Sequence, residues 1–318
     1  MFTFPDKMLK VFKDDNIQAR FEKNGFVILP FYNAEEITRL TKLYHKLHPK
    51  NEEGFFPSTF SGDKNYRHQA DERIREACER SASFYLENHK MVCGAYIVKT
   101  PSPESGMCVH QDMSLLDESR FTGINIWATL TDLSVENGTI FVLPGSHRLF
   151  PTYRGSSIPE FFQDVNDDII DYMEPIIIRA GEAIFFDQSI IHYSPPNHSK
   201  DIRIVTNTYF THQDAEYRTY FYDKKKHFKQ VEAFEQSDSF MTDFDQFGAN
   251  IHDRPKVGKS LGLVEYDFPS INKEFLEKTF QKTDARRQLF MAGPKKKSTQ
   301  ELKQDSGLFA KFKSLFSS

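Results

Sequence analysis

A series of eight short apolar and β-branched segments between residues 91 and 212 constrains the fold of this chain more than any other feature. The segments lie at residues 92–98, 107–109, 124–130, 139–143, 175–178, 183–186, 189–192 and 202–210. Gly, Pro, Asn and Asp residues separate them, as is typical of strands joined by turns. Eight strands of this length predict an antiparallel sheet that is closed into a barrel or folded into a sandwich.

We predict one core domain at residues 91–212, with the rest of the chain added to it as extensions. All-β barrels and sandwiches often use 200 to 250 residues as one domain, so a chain of 318 residues does not require a second core. The remaining regions are an N-terminal helical region and active-site cover at 1–90, an insertion at 149–172, a C-terminal extension at 213–292 and a basic tail at 293–318.

Local signals predict the helices of these extensions. Apolar residues recur at helical spacing on both sides of a short strand at residues 26–29. Asn33 can cap the second of these helices, and Glu36 stands at the position that completes a capping box. A third helical pattern covers residues 71–90, and a short helix is predicted at 272–280.

Composition excludes several classes of protein. Hydrophobic residues make up 39% and charged residues 27% of the chain, which is typical of a globular protein and not of a disordered one. The net charge of −4 offers nucleic acid no general attraction. The sequence contains no apolar stretch of roughly 20 residues and no signal-peptide pattern at its start. From these two absences we expect a cytoplasmic protein without a transmembrane segment. Its three cysteines lack Cys-x-x-Cys spacing, so we expect reduced thiols.

Two histidines and one aspartate are candidate metal ligands. His110 and Asp112 stand two residues apart at the end of a predicted strand, so both side chains project from the same face. His192 lies at the end of another predicted strand. Any one of them alone would be read as an ordinary surface or core residue. Together, two histidines and one carboxylate form the facial triad that non-haem Fe(II) oxygenases use.

Arg203 is a candidate for binding a carboxylate. It follows His192 by 11 residues, across a Pro-containing turn, and opens the next predicted strand. An antiparallel return would place its guanidinium near the metal-bearing strand, where the planar fork can form a bidentate pair with a carboxylate. An isolated arginine at such a position would be read as a charge that faces solvent.

At this point the sequence resembles a known family, the phytanoyl-CoA dioxygenase-like Fe(II)- and 2-oxoglutarate-dependent oxygenases. The matching segments are residues 21–29, 33–37, His110-Gln111-Asp112, Trp127, 136–148, 181–192 and Arg203. The resemblance implies a mainly β fold with flanking helices, a double-stranded β-helix of the jelly-roll, cupin-like type. Within 136–148, two glycine turns are expected to bracket one buried strand. His147 is therefore expected to have a structural role and not to be a metal ligand.

The resemblance also implies roles for individual residues. His110, Asp112 and His192 match the iron ligands of the family, and Arg203 matches the residue that binds the distal carboxylate of 2-oxoglutarate. Three further residues are candidates for the cosubstrate pocket. Trp127 matches a position that lines it, although a plain core aromatic stays an alternative. Asn125 and Ser194 are candidates to hydrogen-bond the cosubstrate, or they serve only in their strand and turn.

The implied chemistry is the oxidation of an unactivated carbon with Fe(II), 2-oxoglutarate and O2, with release of succinate and CO2. Related halogenases replace the carboxylate ligand by a small residue, so Asp112 favours hydroxylation over halogenation. The substrate is expected to be a small molecule or a carrier-bound metabolite, recognised by the variable segments 54–68, 149–172 and 213–234. The alternative is a jelly-roll module that binds a metal or ligand without oxidative catalysis.

The tail carries its own pattern. Apolar residues within 306–318 recur at helical spacing beside lysines, which predicts a basic amphipathic helix. Such a helix could dock on a partner, a carrier protein or an anionic membrane surface. Packing on its own domain or on a second copy of the chain is the favoured alternative.

Overall fold

Three antiparallel sheets account for the strands of the computed structural model, which describes residues 9–48, 53–241 and 252–293. The strands are β1 (Phe26–Pro30), β2 (Phe55–Pro57), β3 (His89–Lys99), β4 (Met107–His110), β5 (Ile124–Thr129), β6 (Phe141–Val142), β7 (Glu174–Pro175), β8 (Glu182–Asp187), β9 (His192–Ser194), β10 (Arg203–His212), β11 (Tyr217–Phe221), β12 (Gln230–Gln236) and β13 (Lys259–Glu265). Two of these sheets, the six-stranded and the four-stranded one, contain the candidate site.

The order of strands in these two sheets defines a jelly roll. The large sheet runs β1-β8-β5-β10-β3-β2 and the second sheet runs β4-β9-β6-β7. From β3 to β10 the chain passes repeatedly from one sheet to the other, so that strands distant in sequence become neighbours. This confirms the predicted fold class, mainly β with flanking helices and a jelly-roll core. A buried cluster between the sheets joins Trp127 and Val205 of the large sheet to Val142 of the second.

Six of the eight predicted strand segments contain their observed strand or overlap most of it. The fifth segment, predicted at 175–178, shares only Pro175 with β7, and the seventh segment differs more. It was predicted at 189–192, but β9 begins only at His192. Asp187 accepts hydrogen bonds from the main chain of Ser189 and Ile190, and this turn occupies the start of the apolar run. Residues 189–191 therefore form a buried turn before β9. The prediction that they pair as a strand is wrong.

Helices cover the outer face of the large sheet. They are α1 (Asp15–Asn24), α2 (Ala34–Leu47) and α3 (Lys64–Tyr85). Leu40 and Ile74 pack in one cluster with Phe185 of β8. The predicted capping box of α2 is present, since Asn33 and Glu36 exchange hydrogen bonds of 2.8 and 2.9 Å. Helix α3 begins seven residues before the predicted 71–90, because the Asp63 side chain accepts from two main-chain N–H groups of its first turn.

The insertion and the C-terminal extension cover the other sheet. Phe161 and Phe162 of the insertion 149–172 pack on Val109 and Phe141, on the outer face of the second sheet. The short helices here are α4 (Asn166–Ile169), α5 (Lys273–Thr279) and α6 (Ala285–Ala292). Helix α5 matches the prediction at 272–280.

The third sheet, β11-β12-β13, was not predicted, although its strands lie within the predicted extension. Tyr220 and Val231 join it to Ile158 of the insertion. None of the helices in the described ranges is long and apolar enough to cross a membrane. The predicted tail helix at 306–318 lies outside the described residues.

Replacing Asn33 by Ala should lower the free energy of unfolding by about 0.5–2 kcal/mol, because the exposed cap of α2 loses its acceptor. Asn33→Asp is the matched control, since aspartate caps as well as asparagine does. Urea unfolding of the three proteins measures the effect. Equal midpoints for wild type and Asn33→Ala would contradict the structural role of this cap.

Candidate active site

Three ligand atoms converge at the paired ends of two strands. His110 ends β4 and His192 begins β9, and the two residues face each other in the ladder of these strands. Asp112 follows two residues after His110, beyond the end of β4. Its Oδ1 lies 3.9 Å from Nε2 of His110 and 4.0 Å from Nε2 of His192. All three ligand atoms lie within 4.8 Å of one another, a spacing that one metal ion can bridge.

Main-chain carbonyls fix the orientation of both imidazoles. Nδ1 of His110 donates to the carbonyl of Cys108 at 2.8 Å, and Nδ1 of His192 donates to that of Ile190 at 3.0 Å. A carbonyl only accepts, so each Nδ1 carries a proton, and the Nε2 atom of each ring faces Oδ1 of Asp112. Burial and the neighbouring His192 lower the pKa of His110 to about 4. The imidazole is therefore neutral near pH 7, as metal binding requires.

Asn125 orients the carboxylate of the cluster. Its Nδ2 donates to Oδ2 of Asp112 at 2.7 Å, which leaves Oδ1 facing the two imidazoles. Its own Oδ1 accepts from Nδ2 of Asn207 at 3.3 Å. The sequence predicted Asn125 as a contact of the cosubstrate. That contact stays a prediction, while the structure gives its amide nitrogen a bond to Asp112.

Arg203 is buried with unused hydrogen-bond donors. It opens β10, is 1% exposed and donates from Nη1 to the carbonyl of Gly138 at 2.6 Å. Its Nε and Nη2 have no hydrogen-bond partner in the described part of the chain. The guanidinium carbon lies 5.0 Å from the centre of the Trp127 ring. Burial lowers the pKa of Arg203 to about 9, because no anion offsets the loss of water.

A second buried cation, Lys99, stands opposite Arg203 in the β3–β10 ladder. Its Nζ donates to the carbonyl and Oγ of Ser194 at 3.1 and 2.7 Å, and to the carbonyl of Pro195 at 2.6 Å. Burial and the charge of Arg203 lower its pKa well below the usual value. No carboxylate within the described residues pairs with either cation. A bound anion would offset the cost of burying two basic side chains that have no such partner.

Lys99 was not predicted as a site residue, because a lysine after an apolar run is typical of the solvent-exposed end of a strand. The other predicted residues fall into two adjoining groups. One group consists of His110, Asp112, His192 and Asn125, and the other of Arg203, Trp127 and Ser194 together with Lys99. Strand β9 connects the two groups, because His192 and Ser194 are two residues apart and project from the same face of it.

The predicted structural place of His147 agrees with its contacts. Its Nε2 lies 3.2 Å from the carbonyl of Glu22, and it is not part of the metal-ligand cluster. The two glycine turns also take the predicted form. Gly138 and Gly145 have φ angles of +78° and +80° and bracket β6. A Cβ at Gly138 would lie 2.6 Å from the carbonyl oxygen of Pro195, so only glycine fits beside the Lys99 and Arg203 contacts.

The chain belongs to the phytanoyl-CoA dioxygenase family. The model of that family, phytanoyl-CoA dioxygenase (PhyH), matches residues 21–205, which is more than half of the chain. This confirms the resemblance seen in the sequence. The matched region contains the His-Asp-His cluster and Arg203. The predicted cofactors, Fe(II), 2-oxoglutarate and O2, agree with a dioxygenase family and with the ligand types of the cluster.

Relatives carry the name of the same domain. Phytanoyl-CoA dioxygenase domain-containing protein 1 homolog from Dictyostelium discoideum is 30% identical over 128 residues, which cover 37% of this chain and 45% of the relative. Phytanoyl-CoA dioxygenase domain-containing protein 1 from Danio rerio is 25% identical over 199 residues, which cover 60% of this chain and 64% of the relative. The chain therefore spans less than two thirds of the length of these curated relatives.

Among solved structures, the epimerase SnoN in complex with Fe3+, alpha ketoglutarate and nogalamycin RO is 18% identical to this chain. The match covers 77% of this chain and 95% of SnoN, with a TM-score of 0.47. A likeness this distant carries no information about the reaction of this chain.

His110→Ala and His192→Ala should each weaken the binding of Co(II), a probe for Fe(II), by more than about 100-fold, because even the loss of an outer-shell contact costs 10- to 100-fold. The rise in melting temperature with added Co(II) measures binding independently of turnover. His45→Ala, at an exposed position of α2, is the control. If Co(II) raised the melting temperature of both variants as much as that of the wild type, the metal would bind elsewhere.

Proposed function

We propose that this chain is an Fe(II)- and 2-oxoglutarate-dependent dioxygenase that hydroxylates an unactivated carbon of a small-molecule or carrier-bound metabolite, with release of succinate and CO2. The observation that carries the proposal is the position of two unpaired, buried cations beside a two-histidine, one-carboxylate cluster. Either feature alone would suit a binding protein. A cosubstrate that reacts at a metal through one end and is anchored by a carboxylate at the other requires metal ligands beside a carboxylate-binding site.

The three ligands would hold iron through atoms that are already aligned. His110 and His192 would bind through Nε2, and Asp112 through Oδ1, because the other polar atom of each side chain is taken by a protein group. Three protein ligands leave the remaining positions of an octahedral metal open. Iron bound with 2-oxoglutarate and O2 supplies an oxidant strong enough to remove hydrogen from an unactivated carbon.

The cationic pair would hold the distal carboxylate of 2-oxoglutarate. The Nε and Nη2 groups of Arg203 are the free donors, and they belong to a fork that suits a carboxylate. Lys99 would contribute charge, since its hydrogens already bond to β9 and to Pro195. The hydroxyl of Ser194 accepts from Lys99 and keeps its own proton to donate to the cosubstrate. Trp127 lies against the guanidinium and limits the access of water.

Hydroxylation is favoured by the carboxylate ligand. Asp112 occupies the position that related halogenases leave to a small residue, and Asn125 supports it with a direct hydrogen bond. We also propose that the protein is cytoplasmic and that its substrate is either a free small molecule or a metabolite bound to a carrier.

Iron-dependent formation of succinate from 2-oxoglutarate tests the reaction class. Wild type should form succinate in the presence of Fe(II) and O2, and a screen of metabolites should find compounds that stimulate it. Asp112→Ala should abolish the product, because one of three ligands is lost. An iron-loaded wild type that binds 2-oxoglutarate without forming succinate for any compound would favour the non-catalytic alternative.

Arg203→Ala should raise the dissociation constant of 2-oxoglutarate by roughly two to three and a half powers of ten. Removing one partner of a buried ion pair typically costs about 3–5 kcal/mol. Arg203→Lys should recover part of the affinity, since an ammonium cannot reproduce the fork. Anaerobic titration of the Fe(II)-loaded protein, followed by the metal-to-ligand charge-transfer absorption, measures it. Arg148→Ala, at an exposed position, is the control. Unchanged affinity in Arg203→Ala would exclude Arg203 as the anchor.

A further inference from the structure

Arg154 reaches from the insertion 149–172 to the main chain of Asp112. Its side chain is 8% exposed, and its Nε donates to the carbonyl oxygen of Asp112 at 2.7 Å. Its main chain is joined to the same segment: the N–H of Ser114 donates to the carbonyl of Arg154, and the N–H of Arg154 donates to Oγ of Ser114, both at 3.1 Å. The insertion is thus bonded to the chain on both sides of Met113.

Glu118 holds the guanidinium in place. The Nη1 group of Arg154 donates to Oε2 of Glu118 at 2.7 Å, and Nη2 donates to Oε1. This is the bidentate arrangement that fixes the plane of a guanidinium. Gln188 also donates to Oε1 of Glu118. With the fork occupied, the Nε–H of Arg154 is the donor directed at Asp112.

Asp112 needs this support because no strand holds it. Strand β4 ends at His110, so Asp112 lies beyond the ladder that fixes its histidine neighbour. Its side chain is bonded by Asn125 of β5, and its main-chain carbonyl is bonded by Arg154. The carboxylate therefore projects from a main chain whose position depends on a segment outside the jelly roll.

A stabilising role alone does not explain the pair of Arg154 and Glu118. Burying two charges costs about as much as their attraction returns, and replacing such a pair by apolar residues is often neutral or stabilising. What a buried bidentate pair provides is a fixed geometry. Here that geometry ends at the metal ligand Asp112.

We propose that Arg154 is a positioning residue for the metal site: held by Glu118, it fixes the main chain of Asp112 and so sets the geometry and affinity of the three-ligand cluster. The inference rests on the metal site of the proposed function. It makes the insertion, the segment expected to contact the substrate, part of the support of the carboxylate ligand.

The test compares Co(II) binding and the Co(II) d–d absorption spectrum of the full chain with those of variants. The double variant Glu118→Leu/Arg154→Met removes both charges, so neither is left buried alone. We expect it to melt near the wild-type temperature without metal, to bind Co(II) about 10- to 100-fold more weakly, and to show an altered spectrum. Arg154→Lys keeps the charge but loses the Nε–H donor, and we expect a weaker effect in the same direction.

The matched control is a second ion pair of the same region. Asp117 and Arg218 pair at 2.8 Å, and they make no hydrogen bond with Asp112. Asp117→Leu/Arg218→Met should therefore leave the affinity and the spectrum of Co(II) unchanged.

Wild-type affinity and spectrum in a folded Glu118→Leu/Arg154→Met variant would overturn the proposal. If that variant does not fold, the same result in Arg154→Lys overturns it. An effect of equal size in the control pair would overturn it as well, because any ion pair in the region would then suffice. Failure of the wild type to bind Co(II), or full binding in His110→Ala, would instead refute the metal site itself.

Discussion

The candidate site depends on the burial of two basic side chains, Lys99 and Arg203, which have no counter-ion among the described residues. Lys99 and Arg203 face each other at one end of the ladder between β3 and β10, and burial lowers the pKa of both. Moving a cation out of water costs several kcal/mol unless an anion offsets it. The long ladder supplies a rigid base for this arrangement, and the Trp127 ring lies over the guanidinium. A bound carboxylate would offset this cost, as the proposed role of Arg203 requires.

Strand β9 links this cationic site to the metal cluster. It has three residues, and the first and third of them, His192 and Ser194, belong to the two halves of the site. Lys99 holds its far end from the opposite sheet, while the carbonyl of Ile190 orients the imidazole at its near end. The distance between the two basic side chains and the His-Asp-His cluster is therefore set by one short strand held at both ends.

The covering elements have unequal roles. Helices α1 to α3 bury the outer face of the large sheet and make no hydrogen bond with the metal ligands. The insertion 149–172 buries the outer face of the second sheet through Phe161 and Phe162. It also sends Arg154 to the main chain of Asp112. Because a packed segment cannot shift one contact without disturbing the others, the apolar contacts of the insertion stabilise the polar one.

The amino-acid sequence by itself determined the features that depend on local spacing. Apolar, β-branched runs and turn residues located most strands of the jelly roll, and the separation of Asn33 from Glu36 located a helix start. The two-residue spacing of His110 and Asp112 predicted that both side chains project from one face. His192 and Arg203 were identified from their places in predicted strands, and the family resemblance implied their roles.

Only the tertiary structure decided which distant residues meet. Lys99 bonds to Ser194 across 95 residues, and Arg154 bonds to Asp112 across 42. In the sequence, a lysine after a strand and an arginine in an insertion are typical of the surface, where most such side chains lie. Strand register turned Lys99 inward beside Arg203, and the packing of the insertion brought Arg154 to the ligand loop. Both contacts depend on which distant segments pair and pack together, and the pattern of one segment does not identify its partner.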